Sequence, residues 1–225
     1  MLPPLALPPG PLAVLTSGGL DSAILLADVA RQAPAATPLY VRSGLAWEAV
    51  ELDHLRRYVE QVQRTLPAVR PLVILDQPTR DLYGNHWSVT GQAVPDAATP
   101  DEAVYLPGRN LLLLTKALLW CHLHDVAGVA LGVLGSNPFP DASDAFFDAV
   151  AAVASQAVAG RLQVIRPYGR LHKVDVMARG RGLPLEWSFS CIAPRGARHC
   201  GLCNKCAERQ RAFRDVGWDD PTPYA

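Results

Sequence analysis

The chain has 225 residues, 49 % apolar and 19 % charged, an ordinary globular composition that supports one sizeable core and excludes disordered and fibrous classes. Its 21 basic and 21 acidic side chains cancel, so the whole chain is not a basic polyanion binder. The charge is uneven, however: residues 1–160 carry 9 basic and 15 acidic side chains, and residues 161–214 carry 12 basic and 3 acidic.

The start, MLPPLALPPGPLAVL, is apolar but proline-broken and has no early Lys or Arg, so a signal peptide is not expected. Leu12 to Thr16 reads as a short buried strand. Ser22 to Arg31 follows as a helix, with Ala23, Leu26, Ala27 and Ala30 on one face. Pro38 to Arg42 is a second strand, Trp47 to Leu66 a second helix, and Leu72 to Leu75 a third strand. Asp76 to Pro107 shows little periodicity and reads as a long loop, functional or mobile. Asn110 to His124 is a helix, Val129 to Val133 a strand, Ser143 to Val158 a helix and Leu162 to Arg166 a strand. Its leucine run, Leu111 to Trp120, is interrupted by Lys116 and too short to span a bilayer, so a cytoplasmic protein without a membrane segment is expected. Lys173 to Arg181 is a short helix ended by Gly182 and Pro184. Strands alternating with helices predict a doubly wound parallel α/β sheet over residues 1–187. Residues 188–225 are rich in Cys and Arg and poor in large aliphatics, which predicts a small metal-stapled appendage.

Thr16-Ser17-Gly18-Gly19-Leu20-Asp21-Ser22 falls where the first strand meets the first helix. Ligands of open α/β sheets bind at such carboxyl ends of strands. Gly18 and Gly19 let backbone amides approach an anion, the two serines add hydroxyl donors, and the helix start adds free N–H groups. It is neither a Walker A loop nor Gly-x-Gly-x-x-Gly. Asp21 also fits the role of a helix cap.

Cys191, Cys200, Cys203 and Cys206 are spaced C-x8-C-x2-C-x2-C. Four thiolates fill the tetrahedral shell of a closed, structural Zn²⁺ site. An iron–sulfur cluster shares the ligand count. Lys205, Arg195, Arg198 and Arg209 lie close enough in sequence to offset thiolate charge. Cys121, inside an apolar helix, reads as a small buried side chain.

Ser17-Gly18-Gly19-Leu20-Asp21-Ser22 resembles the pyrophosphate loop of the N-type ATP pyrophosphatases, whose fold is of the adenine nucleotide alpha hydrolase kind. Tyr105-Leu106-Pro107-Gly108-Arg109-Asn110, Leu171-His172-Lys173, Trp187-Ser188-Phe189-Ser190-Cys191, and Cys200-Gly201-Leu202-Cys203-Asn204-Lys205-Cys206, followed by Arg209, Phe213, Gly217 and Asp220-Pro221, extend the likeness along nearly the whole chain. Together they resemble the 7-cyano-7-deazaguanine synthase family. The resemblance implies that ATP, with Mg²⁺, activates the carboxylate of 7-carboxy-7-deazaguanine, that ammonia gives the amide, and that a second activation dehydrates it to a nitrile. It implies that residues 16–22 bind ATP, that Asp21, Arg109 and Lys173 are catalytic, and that one zinc is held by the four cysteines. Arg109 also suits a structural salt bridge, and Lys173 a plain helix start. It further implies a homodimer. No glutaminase domain is read in the sequence, so free ammonium is the simplest nitrogen donor, and no stable binding of nucleic acid is expected.

The chain departs from the family pattern after the second strand, at Arg42–Glu48, and after the fourth, at Gly135–Asp144. These segments are expected to wall the acceptor pocket, with Asp141 on the guanidine-like edge of the ring or, alternatively, as a helix cap. Phe139 or Trp47 would stack on the ring or pack locally. The departures leave open the same adenylation chemistry on a related heterocyclic acid, or attachment of the deazaguanine acid to another amine. The basic stretch 161–214 suits nucleotide phosphates, a tRNA-modifying relative, a zinc module on nucleic acid, or a solvated face.

Overall fold

Alternation of buried residues along each strand sets the layers. In the computed structural model, which describes residues 3–225, Leu12 and Val14 of the central strand β1 (Leu12–Leu15) face one apolar cluster, and Ala13 and Leu15 face another. Side chains two apart share a face of a strand, so a strand apolar at every position must be covered on both sides. Met1 and Leu2 of the proline-rich start lie outside the described residues.

The chain continues through α1 (Leu20–Ala30), β2 (Ala36–Arg42), α2 (Glu48–Gln63), β3 (Val73–Asp76), α3 (Arg80–Tyr83), α4 (Trp87–Thr90) and α5 (Arg109–Leu123). It then forms β4 (Gly128–Ala130), α6 (Asp144–Ala157), β5 (Gln163–Ile165), α7 (Lys173–Arg179) and α8 (Asn204–Asp215). The five strands are parallel, in the order β3-β2-β1-β4-β5. α1, α2 and α7 cover one face; α5 and α6 cover the other, with Cys121 buried among their apolar side chains. The expected doubly wound α/β sheet is therefore the fold. Strand order reverses between β1 and β4, the switch point at which this architecture opens a crevice.

Three features differ from the sequence expectations. The segment 76–107 is not structureless: α3, α4 and a 3₁₀ turn at Asp101–Val104 run through it. Trp87 stacks on Trp47 with ring centroids 5.7 Å apart, and Asp96 bridges to Cys203, so the segment is strapped down by aromatic packing and by the cysteine knuckle. α8 was not expected, because charged residues dominate it and its cysteines read as ligands. Its apolar stripe is short, but Ala212 and Phe213 join the cluster beneath α1 and α7. The buried Arg209 guanidinium donates to Ser188 Oγ at 2.8 Å and to the Leu185 carbonyl at 2.9 Å. Finally, α1 begins at Leu20, two residues early, which places Asp21 inside its first turn.

The basic stretch is neutralised in part from within. Arg179 pairs with Asp28, Arg166 with Asp144, and Lys173 with Asp21, each acidic partner coming from the first 160 residues.

Candidate active site

A cleft of about 310 Å³ opens at the switch point. The loop after β1 forms its floor. Thr16 is buried, with both its N–H and its hydroxyl donating to the Leu39 carbonyl, so the loop's entry is tied to β2. Gly18 sits at φ +81°, a left-handed conformation that side chains strain to adopt. Ser22 Oγ donates to the Gly19 carbonyl at 3.1 Å and lies 3.3 Å from Ser17 Oγ. The two hydroxyls and the first N–H groups of α1 thus converge on one small volume. Such a volume suits an anion: donors are fixed in place before any ligand arrives.

Gly132, just beyond β4, closes this floor from the other side. A Cβ there would lie 3.1 Å from the backbone carbonyl of Asp21, so any larger residue would press the start of α1 away by a few tenths of an ångström.

Lys173 opens α7 and reaches into the same cleft. Its Nζ lies 2.8 and 2.7 Å from the two oxygens of Asp21, and 3.1 Å from Glu208 Oε1. Glu208 in turn accepts from Lys205 at 2.7 Å. Burial opposes charge on Lys173, but Asp21 and Glu208 together raise its pKa above the ordinary lysine value. Burial pushes the Asp21 carboxyl up, while the ammonium against both its oxygens acts in the other direction. Burial likewise opposes the charge of Glu208, yet the two lysines bring its carboxyl down to about 2. A relay of alternating charges, Asp21–Lys173–Glu208–Lys205, therefore lines one wall. Asp21 is a partner of Lys173 here rather than a helix cap.

Arg109 starts α5 directly after Gly108, itself at φ +72°, and lines the facing wall. Among the described residues it makes no ion pair, and its Nε is buried with no hydrogen-bond partner. A buried guanidinium N–H without an acceptor costs about 1–3 kcal/mol, which a bound anion would remove. The salt-bridge reading of Arg109 is not what the structure contains.

Sequence reasoning missed Glu51, Tyr40 and Glu208, all in the cleft lining. Glu51 on α2 accepts from Tyr40 Oη at 2.7 Å and from Trp47 Nε1 at 3.3 Å. The signal for Glu51 was a carboxylate on the inward face of an amphipathic helix. Trp47, read as stacking on the ring or packing locally, is buried and stacked on Trp87, and with Leu45 it also lines the cleft.

Asp141 is placed elsewhere. It is buried, its Oδ2 accepts from the backbone N–H of Asn110 at 3.0 Å, and Asn110 Nδ2 donates back to the Asp141 carbonyl at 2.8 Å. The carboxylate caps α5 from a neighbouring segment. α6 has its own cap in Ser143, whose Oγ accepts from the Phe146 N–H. No residue of 135–144 lines the cleft, and Phe139 packs on Tyr105 at 4.9 Å. Asp141→Asn should therefore leave acceptor KM and turnover near wild type, since an Asn oxygen caps as well. Asp141→Ala should cost roughly 1 kcal/mol of stability by loss of the cap. Thermal melts and kinetics of both variants check this; a large KM change in Asp141→Asn would overturn it.

The four Sγ atoms of Cys191, Cys200, Cys203 and Cys206 lie within 4.8 Å of one another, all buried. Sγ–Sγ distances are 3.9 Å for Cys200–Cys206 and for Cys191–Cys203. Tetrahedral ligation at about 2.3 Å needs edges of about 3.8 Å, so this donor set fits one metal ion. N–H groups of Ala193 and Cys200 point at Cys191 Sγ, and those of Leu202 and Cys203 at Cys200 Sγ, which offsets thiolate charge. Lys205 pairs with Glu208 in the cleft.

No helix of the described residues is long and apolar enough to cross a membrane. Among proteins of assigned name, the chain is 30 % identical over 226 residues to the 7-cyano-7-deazaguanine synthase of Allorhizobium ampelinum, covering 94 % of this chain and 91 % of that protein. It is 28 % identical to that of Chlorobaculum tepidum, covering 94 % of this chain and 95 % of that protein. Of solved structures, a predicted subunit of tRNA methyltransferase from Methanocaldococcus jannaschii overlays with a TM-score of 0.46 at 10 % identity, over 81 % of this chain and 92 % of that one. The model of the family described as "Queuosine biosynthesis protein QueC" matches residues 12–217. That span runs from the first residue of β1 to just past α8 and includes the loop, both cationic walls of the cleft and all four cysteines, and the chain belongs to the QueC family.

Proposed function

We propose that the chain uses ATP to convert 7-carboxy-7-deazaguanine and ammonia to 7-cyano-7-deazaguanine, in queuosine precursor biosynthesis. The observation that carries this reading is the convergence, at one switch point, of an anion-binding loop with two cations on opposite walls, one paired and one without an acceptor. Residues 16–22 hold the pyrophosphate of ATP through backbone N–H groups and the Ser17 and Ser22 hydroxyls. Attack of the substrate carboxylate on the α-phosphorus places extra negative charge between the walls. Lys173 and Arg109 stabilise that charge, and cations fixed in place do so without reorganising. Asp21 and Glu208 position Lys173; Mg²⁺ would accompany the nucleotide, beside Asp21. Asp141 acts by setting the start of α5, and hence Arg109, rather than by touching the ring.

The cysteine quartet holds zinc in a closed, structural site, because four thiolates leave no coordination position for a substrate. We take residues 188–225 as the zinc-stapled unit of the chain and residues 1–187 as its ATP-binding domain. A homodimer is part of the proposal. Leu111, Leu119 and Leu123 of α5 and Val153 of α6 are exposed apolar side chains on neighbouring helices, and covering them would favour association. Light scattering tests this.

A related acid as acceptor is the second reading, favoured by the absence of residues 135–144 from the cleft lining. Incubating the protein with ATP, Mg²⁺, ammonium and 7-carboxy-7-deazaguanine, with mass spectrometry of the products, separates the two. The nitrile is expected; pyrophosphate release only with a different acid would overturn the acceptor assignment.

A further inference from the structure

We propose that Glu51 is the proton acceptor that completes nitrile formation, taking the N–H proton of the adenylated amide. This rests on the reaction proposed above. In that step the species R–C(=NH)–O–AMP loses its N–H proton to a Glu51 oxygen. The N–H electron pair becomes the third C–N bond, and the C–O bond breaks with its pair leaving on AMP. Glu51 later passes the proton to solvent, so atoms and charge balance without any further reactant.

Three carboxylates line the cleft: Asp21, Glu51 and Glu208. Asp21 has both oxygens on Lys173, and Glu208 bridges Lys173 and Lys205, so neither is free to take a proton. Glu51 differs. Its side chain is held only by neutral donors, the Tyr40 hydroxyl from β2 and the Trp47 indole. It is buried against the floor of the cleft: a Cβ on Gly18 would stand 3.8 Å from Glu51 Cγ. The groups that face it are Arg109 from α5, Tyr40 from β2 and Glu48 from its own helix. Burial is the largest influence and raises its carboxyl to about 7; Arg109 and the two neutral donors act against burial, and Glu48 acts with it. A base poised near the working pH combines a large ionised fraction with a real affinity for the proton.

The test starts from the amide, 7-deazaguanine-7-carboxamide, with ATP and Mg²⁺. Glu51→Gln keeps the local bonds, since the Gln oxygen accepts from Trp47 and its NH₂ donates to the Tyr40 oxygen. Nitrile formation from the amide should fall by about 10²-fold or more. Exchange of labelled pyrophosphate into ATP with the acid substrate, which needs no proton removal, should fall far less than nitrile formation. Wild-type conversion of the amide should rise with pH through about 7 and then level, because the ionised form is the active one. Tyr40→Phe removes an O–H that favours the ionised carboxyl, so it should move that rise to higher pH. Equal nitrile rates in Glu51→Gln and wild type would overturn the proposal. So would losses of equal size in exchange and in nitrile formation, or an unmoved pH rise in Tyr40→Phe. If wild type consumes ATP but forms no nitrile from the amide, the reaction assignment itself falls and this step with it.

Discussion

Replacing Lys173 by Met is expected to abolish ATP turnover, with kcat/KM down by about 10³-fold. Loss of one preorganised charge-stabilising donor costs roughly 10²–10³ in rate. Two effects add here. The variant removes the cation nearest the loop, and it leaves Asp21 without its cation and Glu208 with Lys205 alone, the two carboxylates having faced Lys173 at 2.7 and 3.1 Å. Negative charge would then confront the incoming phosphates. Pyrophosphate release and equilibrium binding of ATP both measure this, and binding should weaken together with turnover. A Lys173→Met protein that releases pyrophosphate at the wild-type rate would remove the cleft assignment. Asp21→Asn is expected to be milder, because an amide oxygen still accepts from the ammonium and only the charge is lost.

The second large effect is expected at the cysteine quartet. Cys203→Ser, or a strong chelator, should remove the metal and lower Tm by about 10 °C or more. The free energy of binding a structural zinc is folding free energy, about 10–16 kcal/mol in isolated modules, and each kcal/mol moves Tm by about 2–4 °C in a chain of this size. Activity should fall in parallel, for a geometric reason. Cys203 bridges to Asp96, and the N–H of Asn204 donates to the Pro95 carbonyl, so the knuckle anchors the strap that leads into Arg109. Phe189, Ser190 and Ile192, which line the cleft, flank Cys191 on the same metal-held segment. Elemental analysis should find about one zinc per wild-type chain. Iron in its place, or unchanged melting in Cys203→Ser, would contradict the zinc assignment.

Particular elements show why some of this was legible in the sequence. β1 is apolar at every position, which is the local mark of a strand covered on both faces. The Ser17–Ser22 run and the cysteine spacing are contiguous motifs, whose geometry follows from turns of a few residues. α8 was not legible, because its hydropathy is dominated by charges and its burial comes from contacts with α7 and the first core cluster. Asp141 read as a ring contact or as a cap for its own helix. It caps α5, a helix 31 positions earlier, a pairing that no local pattern encodes.

The sequence by itself determined the α/β layering, the position of the glycine loop and the set of four cysteines that could hold a metal, because each depends on residues within one element or one turn. The tertiary structure alone decided what the charges do. Lys173 and Asp21 are 152 positions apart, and they meet because the crossover connections of a parallel sheet bring the starts of α1 and α7 to one end of the strands. The excess of bases in residues 161–214 reads as a surface for polyanions. In the fold, three of those bases meet acids of the first 160 residues: Arg179 pairs with Asp28 in the interior, where buried ions must be paired, Lys173 with Asp21 in the cleft, and Arg166 with the exposed Asp144. Glu51 became distinctive in the same way: its lack of a lysine partner is a property of the assembled cleft, set by which cations the other elements bring to it.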